Sequence, residues 1–289
     1  MMTRTIVCLG DSILFSAGSG VRCDEYSPAV LERLLQGDGF DAMVRNCGKS
    51  GDTTTQTLAR IADAVYCERP DVVVIFSGYN DPGASIPQAT TQSNIQAMIR
   101  HLRNGCMGQV SGQASLPPEC IEGTRYLVIS DTSTTGGVAP ILTGTQSGPQ
   151  VWESRNGLAG ESGWGRIDSG DGEAVSKFLV LTTHFCNYGT GGDSLDADGG
   201  HDGQNATRKQ VYEAQLAAAT AEKVTFCDLY AFLQSRIATG QTGDTATNRT
   251  WHSADGDIHP NAYGQDLIGK CIHKTILSQP DLVAMLNER

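Results

Sequence analysis

Apolar positions along this chain follow two rhythms. In some stretches they are nearly consecutive: Thr5-Ile6-Val7-Cys8-Leu9, Asp71-Val72-Val73-Val74-Ile75-Phe76 and Val224-Thr225-Phe226-Cys227-Asp228-Leu229, with Ala42 to Cys47 as a further strand candidate. Short runs of this kind predict strands buried on both faces, the condition of a central strand in a parallel sheet. Elsewhere the apolar residues recur every three or four positions. Val30, Leu31, Leu34 and Leu35 follow Ser27-Pro28, which predicts a helix capped by Ser27 with Pro28 at its first position. Leu58, Ile61, Ala62 and Val65 predict a second helix over Thr54–Tyr66. Further helices are expected over Asn94–Leu102, Ala206–Lys223, Tyr230–Ile237, Asn261–Ile276 and Pro280–Leu286. Strands alternating with helices point to a doubly wound α/β fold, a three-layer α/β/α sandwich around a five-stranded parallel sheet.

The rhythm breaks near residue 105 and returns near residue 205. Gly, Ser, Thr and Asp are frequent between these points, and two apolar runs stand out, Tyr126-Leu127-Val128-Ile129 and Phe178-Leu179-Val180-Leu181. One of them is expected to supply the fourth strand of the parallel sheet, and the first is favoured. The segment is too long for a simple connection. It reads as an insertion with short β-elements, at about 105–205, in a single domain spanning 1–289. Loops at this edge of an α/β sheet commonly shape the substrate site.

Composition narrows the choice of partners. With 39% hydrophobic and 18% charged residues, 289 residues can bury a core. A formal net charge of −11 opposes phosphate backbones and anionic lipid surfaces, so neither nucleic acid nor a membrane surface is an expected partner. No stretch approaches the roughly 18 apolar residues of a spanning helix. The first strand begins almost at Met1 and leaves no room for a signal peptide, which favours a cytoplasmic location unless a leader has been trimmed. The nine cysteines include no CxxC pair, so a zinc ribbon is not indicated. Cys8, Cys47 and Cys227 read as small core residues. Cys106 and Cys120 flank a Gly/Ser/Pro-rich stretch and are candidates for a local disulfide, which a reducing compartment would keep as thiols.

Four segments carry candidate chemistry. The first strand ends in Gly10-Asp11-Ser12, which puts a hydroxyl where open α/β sheets bind ligands. The second ends in Asn46-Cys47-Gly48-Lys49-Ser50-Gly51-Asp52, a glycine turn able to present a backbone N–H to an oxyanion. The third ends in Gly78-Tyr79-Asn80-Asp81-Pro82, where Asn80 offers a side-chain amide. Near the C-terminus, Asp255-Gly256-Asp257-Ile258-His259-Pro260-Asn261 sets a histidine before the last long helix. Histidine is the usual base for a serine nucleophile, and a nearby carboxylate can fix its tautomer. Each segment taken alone is also an ordinary turn or cap.

In this order the four segments resemble the SGNH/GDSL hydrolases, a family named for Ser, Gly, Asn and His in four sequence blocks. Ser12, Gly51, Asn80 and His259 match those blocks, and the resemblance extends over about residues 4–104 and 206–276. It implies a flavodoxin-like sheet, Ser12 as nucleophile and His259 as general base. It also implies an oxyanion hole built from the N–H groups of Ser12 and Gly51 and the Asn80 amide. No metal or organic cofactor is implied. One position departs: the family's Asp three residues before the His is Gly256 here. Asp255 and Asp257 are the candidates to replace it, with Asp255 slightly favoured, and a Ser–His dyad is the other outcome.

The implied reaction is hydrolysis of acyl esters. A polar insertion and only 6% aromatic residues argue against a long acyl tunnel, so a short acyl ester is expected, first an acetyl group on carbohydrate. Tyr79, Trp164 and Trp251 are candidates to stack on a sugar ring, or are ordinary packing. The rivals are a carbohydrate-binding module that kept the scaffold and an acyltransferase using the same residues. Asp193-Ser194-Leu195-Asp196-Ala197-Asp198-Gly199-Gly200 spaces carboxylates as calcium loops do, but lacks the Glu at the twelfth position and reads as a solvated acidic loop. Gly18-Ser19-Gly20 lacks the GxGxxG pattern of a dinucleotide site.

Overall fold

The structure is a computed structural model and describes residues 3–15, 21–104, 108–112, 125–131, 150–154, 164–167, 177–182, 204–238 and 259–288. The chain runs β1 (Arg4–Gly10), α1 (Ser12–Phe15), α2 (Ser27–Gly37), β2 (Ala42–Gly48), α3 (Thr54–Ala59), α4 (Ile61–Val65), β3 (Val72–Phe76) and α5 (Gln88–Arg103). It continues with β4 (Gly108–Gly112), β5 (Arg125–Asp131), β6 (Gln150–Ser154), β7 (Trp164–Ile167), β8 (Lys177–Leu181) and α6 (Gln204–Glu222). The last elements are β9 (Thr225–Cys227), α7 (Leu229–Ala238), α8 (Ala262–Leu277) and α9 (Pro280–Asn287).

Five strands pair in the order β2-β1-β3-β8-β9, and every pair is parallel. The chain leaves β1 toward β2, then returns past β1 to β3. The winding therefore reverses between β1 and β3, and the loops leaving their carboxyl ends part to form the crevice where such sheets bind ligands. Alternate side chains serve opposite faces. Ile6, Cys8, Val72, Val74 and Phe76 pack with Leu31, Leu35, Ile268 and Ile272 of α2 and α8. Val7, Leu9, Val73 and Ile75 pack with Leu58, Ile61, Ile95, Met98 and Ala218 of α3 to α6. Helices on both faces make the strands apolar throughout, giving a three-layer α/β/α sandwich.

The fourth strand of this sheet is the second apolar run, not the favoured first. Lys177–Val180 pair with Val72–Ile75, and Phe178, Leu179 and Val180 are buried. Tyr126–Ile129 lies in β5, which pairs with β4 and β6 in a separate four-stranded sheet, β4-β5-β6-β7. The two runs are equally apolar, so their composition cannot separate them. Partners close in sequence close short loops at a smaller entropy cost, and β5 finds such partners on both sides. The expected helix over 54–66 is broken into α3 and α4 at Arg60, whose backbone is at φ −103° and ψ 6°. Ser27 does not cap α2. Tyr26 holds that position, and the Ser27 hydroxyl is buried without a hydrogen-bond partner.

Among the described residues no helix is long and apolar enough to cross a membrane, and no cluster of side chains could hold a metal ion. Cys8 and Cys227 are buried, Cys47 is half-buried, and none of the three is bridged. The possible Cys106–Cys120 disulfide, the acidic loop at 193–200 and the glycine pair at 18–20 lie outside the described residues.

Candidate active site

The register of the sheet brings three strand ends level. Gly10 pairs with both Gly48 and Phe76, so the turns that follow β1, β2 and β3 leave the same edge side by side. A side chain at residue 10 is impossible, because a Cβ there would stand 2.0 Å from the Phe76 carbonyl oxygen. Asp11 then turns the chain into α1. Its carboxylate accepts the Ile13 N–H at 3.0 Å and its carbonyl accepts the Phe15 N–H at 3.1 Å. Ser12 opens the short helix and is 4% exposed.

His259 lies 247 residues further along the chain, and its Nε2 stands 3.0 Å from Ser12 Oγ. It enters from the end of α8, which Asn261 caps by accepting the Gly264 N–H at 2.9 Å. Asp255 and Asp257, the candidates to orient the imidazole, lie outside the described residues, as does Trp251.

The turn after β2 needs glycine at residue 51, where φ is +79°. Asp52 follows, and Thr53 caps α3 in a capping box with Gln56. Asn80 Nδ2 donates to the Asp52 carbonyl at 2.9 Å. That amide carries two protons, so one remains for an acyl oxygen. Arg60 ties the group together. Its Nε bonds the Asp52 carboxylate, Nη1 the Cys47 carbonyl and Nη2 the Gly10 carbonyl.

Two buried charges fix the loop that carries Asn80. Asp81 accepts the Thr54 N–H at 2.8 Å and the hydroxyls of Thr54 and Thr91 at 2.5 and 2.6 Å. From α6, Arg208 donates to the Tyr79 carbonyl at 2.5 Å and lays its guanidinium 3.7 Å from the Tyr79 ring centroid. Tyr79 is 1% exposed, which corrects the expectation that it stacks on a sugar. Its face is already covered by a cation, an arrangement that helps keep Arg208 buried. Trp164 lies in β7.

Arg60, Asp81 and Arg208 were not singled out from the sequence. The signal for Arg208 is its spacing: it stands three, seven and eleven residues before Val211, Gln215 and Ala219, on the stripe of α6 that faces the core. A charge on such a stripe marks a buried partner.

Burial pushes the Asp11 carboxyl up to about 7, the Asp81 carboxylate adds to this, and the Ile13 N–H and the Arg208 charge oppose it. The folded chain then binds more protons than the unfolded chain between the ordinary carboxylate range and about pH 7. Stability falls as pH rises through that window and levels off above it. Asp11→Asn, neutral at every pH, is expected to remove this slope. Its Tm relative to the unsubstituted protein should rise between about pH 4 and pH 7 and then level off, by the equivalent of a few kcal/mol at about 1.4 kcal/mol per tenfold change in proton affinity. A constant difference across that range would mean that Asp11 is ionised throughout.

Residues 8–128 match the GDSL-like lipase/acylhydrolase family. The chain is 34% identical over 124 residues to an arylesterase of Vibrio mimicus, and 34% identical over 125 residues to esterase TesA of Pseudomonas aeruginosa. Each match covers 43% of this chain and 60% of the relative's length. The fold is similar to that of a lipase/acylhydrolase from Enterococcus faecalis, with a TM-score of 0.56 at 19% identity over 96% of both chains.

Proposed function

We propose that the chain is a serine esterase of the SGNH/GDSL hydrolase superfamily, working by two-step acyl transfer, a reading supported by the match of residues 8–128 to the GDSL-like lipase/acylhydrolase family and by the 34% identity to an arylesterase and an esterase. The observation that carries the reading is the 3.0 Å approach of Ser12 Oγ and His259 Nε2 at the crevice where the sheet reverses. Ser12 gives its proton to His259 as the oxygen attacks the ester carbonyl. The tetrahedral oxyanion accepts from the N–H groups of Ser12 and Gly51 and from the second Asn80 amide proton. His259 returns the proton to the leaving alcohol, and the carbon–oxygen bond of the ester breaks. Water, deprotonated by His259, then attacks the acyl-enzyme; the bond between the acyl carbon and Ser12 Oγ breaks, His259 returns the proton to Ser12, and the acid is released. Asp255 or Asp257 is assigned to hold the imidazole in the reactive tautomer. No step calls for a metal or cofactor.

Residues 1–289 are read as one domain; the stretch of about 105–205, set apart by its composition, contributes β8 to the parallel sheet and so is an insertion only in part. Short acyl esters are the assigned class, with acetyl on carbohydrate first. The arylesterase name of the Vibrio mimicus relative favours small aryl esters as laboratory substrates. Paraoxon, a phosphate triester that traps serine nucleophiles, tests the mechanism. One diethylphosphoryl group per chain is expected on the peptide containing Ser12, with activity lost in proportion. Labelling elsewhere with Ser12 unmodified would refute the assignment. Across p-nitrophenyl esters from acetyl to dodecanoyl, kcat/KM is expected to fall with chain length, and a steady rise would overturn the short-acyl reading.

A further inference from the structure

Nucleophile and base come from opposite ends of the chain, so their spacing must be set by contacts between α1 and α8. We propose that Gln265 sets it, as a positioning residue that braces the Ser12 turn against the end of α8 beside His259. Gln265 lies in the first turn of α8 and is fully buried. Its Nε2 donates to the Ile13 carbonyl at 2.8 Å, and its Oε1 accepts the Ser27 N–H at 2.9 Å. Its own N–H donates to the Asn261 carbonyl at 2.8 Å.

Each of these bonds answers a specific need. α1 has four residues, so its carbonyls lie beyond the reach of intrahelical donors. Ser27 opens α2, and its N–H is one of the orphaned donors of a helix start. One planar amide, with a donor on one side and an acceptor on the other, meets both. A glutamate of the same shape would turn an anion toward the Ile13 carbonyl, and a methionine would leave both groups unpaired.

The bonds also close a mechanical loop. Ile13 follows Ser12 directly, and Asn261 is two residues from His259, with buried Pro260 between them. Loss of the brace lets Ser12 Oγ and His259 Nε2 drift relative to each other. Proton transfer and attack are sensitive to displacements of about 1 Å, worth on the order of 100-fold in rate. Gln265 shares the buried stripe of α8 with Ile268, Ile272 and Ile276, the same signature of a polar residue among apolar ones that marks Arg208.

The inference rests on the Ser12–His259 reading, and the experiment keeps the two apart. Gln265→Met is made in the unsubstituted protein and in a His259→Ala background, and kcat and KM for p-nitrophenyl acetate are measured with the melting transition. In the unsubstituted background kcat is expected to fall about 10- to 100-fold with KM within about twofold. In the His259→Ala background, which has no imidazole left to misplace, the further loss is expected to stay under about twofold. Equal losses in both backgrounds would signify general damage and overturn the proposal, as would an unchanged kcat in the unsubstituted background. Full activity in His259→Ala alone would instead refute the esterase mechanism. If Gln265→Met shows no folded state, Gln265→Asn, one methylene too short to reach both partners, is run through the same cycle with the same criteria.

Discussion

Ser12→Ala is expected to lower kcat/KM for p-nitrophenyl acetate by about four to six orders of magnitude, the loss typical of removing the nucleophile from a unit that acts together. What survives is the contribution of binding and of oxyanion donors to attack by water. Ser12 is small and 4% exposed, so deleting its hydroxyl leaves little cavity, and the melting temperature is expected to move by no more than a few degrees. His259→Ala is expected to cost nearly as much, and the double variant little more than either single one, because each removes the same proton-transfer step. A Ser12→Ala protein that keeps a tenth of the original rate would exclude the hydroxyl as nucleophile.

Asn80→Ala is expected to lower kcat by about 100- to 1,000-fold with a smaller change in KM, the usual effect of losing one oxyanion donor. Two consequences combine. The proton left over after the bond to the Asp52 carbonyl no longer meets the developing charge, and that carbonyl also loses its donor, which loosens the Gly51 turn. The Asp81 and Arg208 anchors on either side of Asn80 should keep the loop itself in place. Paraoxon inactivation, whose phosphoryl oxygen occupies the oxyanion position, should slow in parallel. A loss of less than about threefold in both measurements would place the amide outside the site.

Much of this arrangement is legible in the sequence itself. Gly10-Asp11-Ser12 could be read at a strand end because consecutive apolar residues announce a buried strand and Gly-Asp announces its end. Asn80 and Gly51 were legible for the same reason, as turn residues after apolar runs. Arg60 and Asp81 were not, because each looks like an ordinary charged or turn residue until its partners are known.

What the sequence by itself determined is therefore local: the alternation of strands and helices, the places where strands stop, and the polar residues waiting at those stops. Periodicity and turn chemistry act over a few residues and need no distant partner. What only the tertiary structure decided is the choice between equivalents and the burial of charge. It selected β8 over β5 for the parallel sheet, buried Tyr79 under Arg208, raised the proton affinity of Asp11, and set Gln265 between two helix ends 252 and 238 residues away. Each of these depends on desolvation and on hydrogen bonds between segments far apart in sequence, and those quantities exist only once the chain has folded.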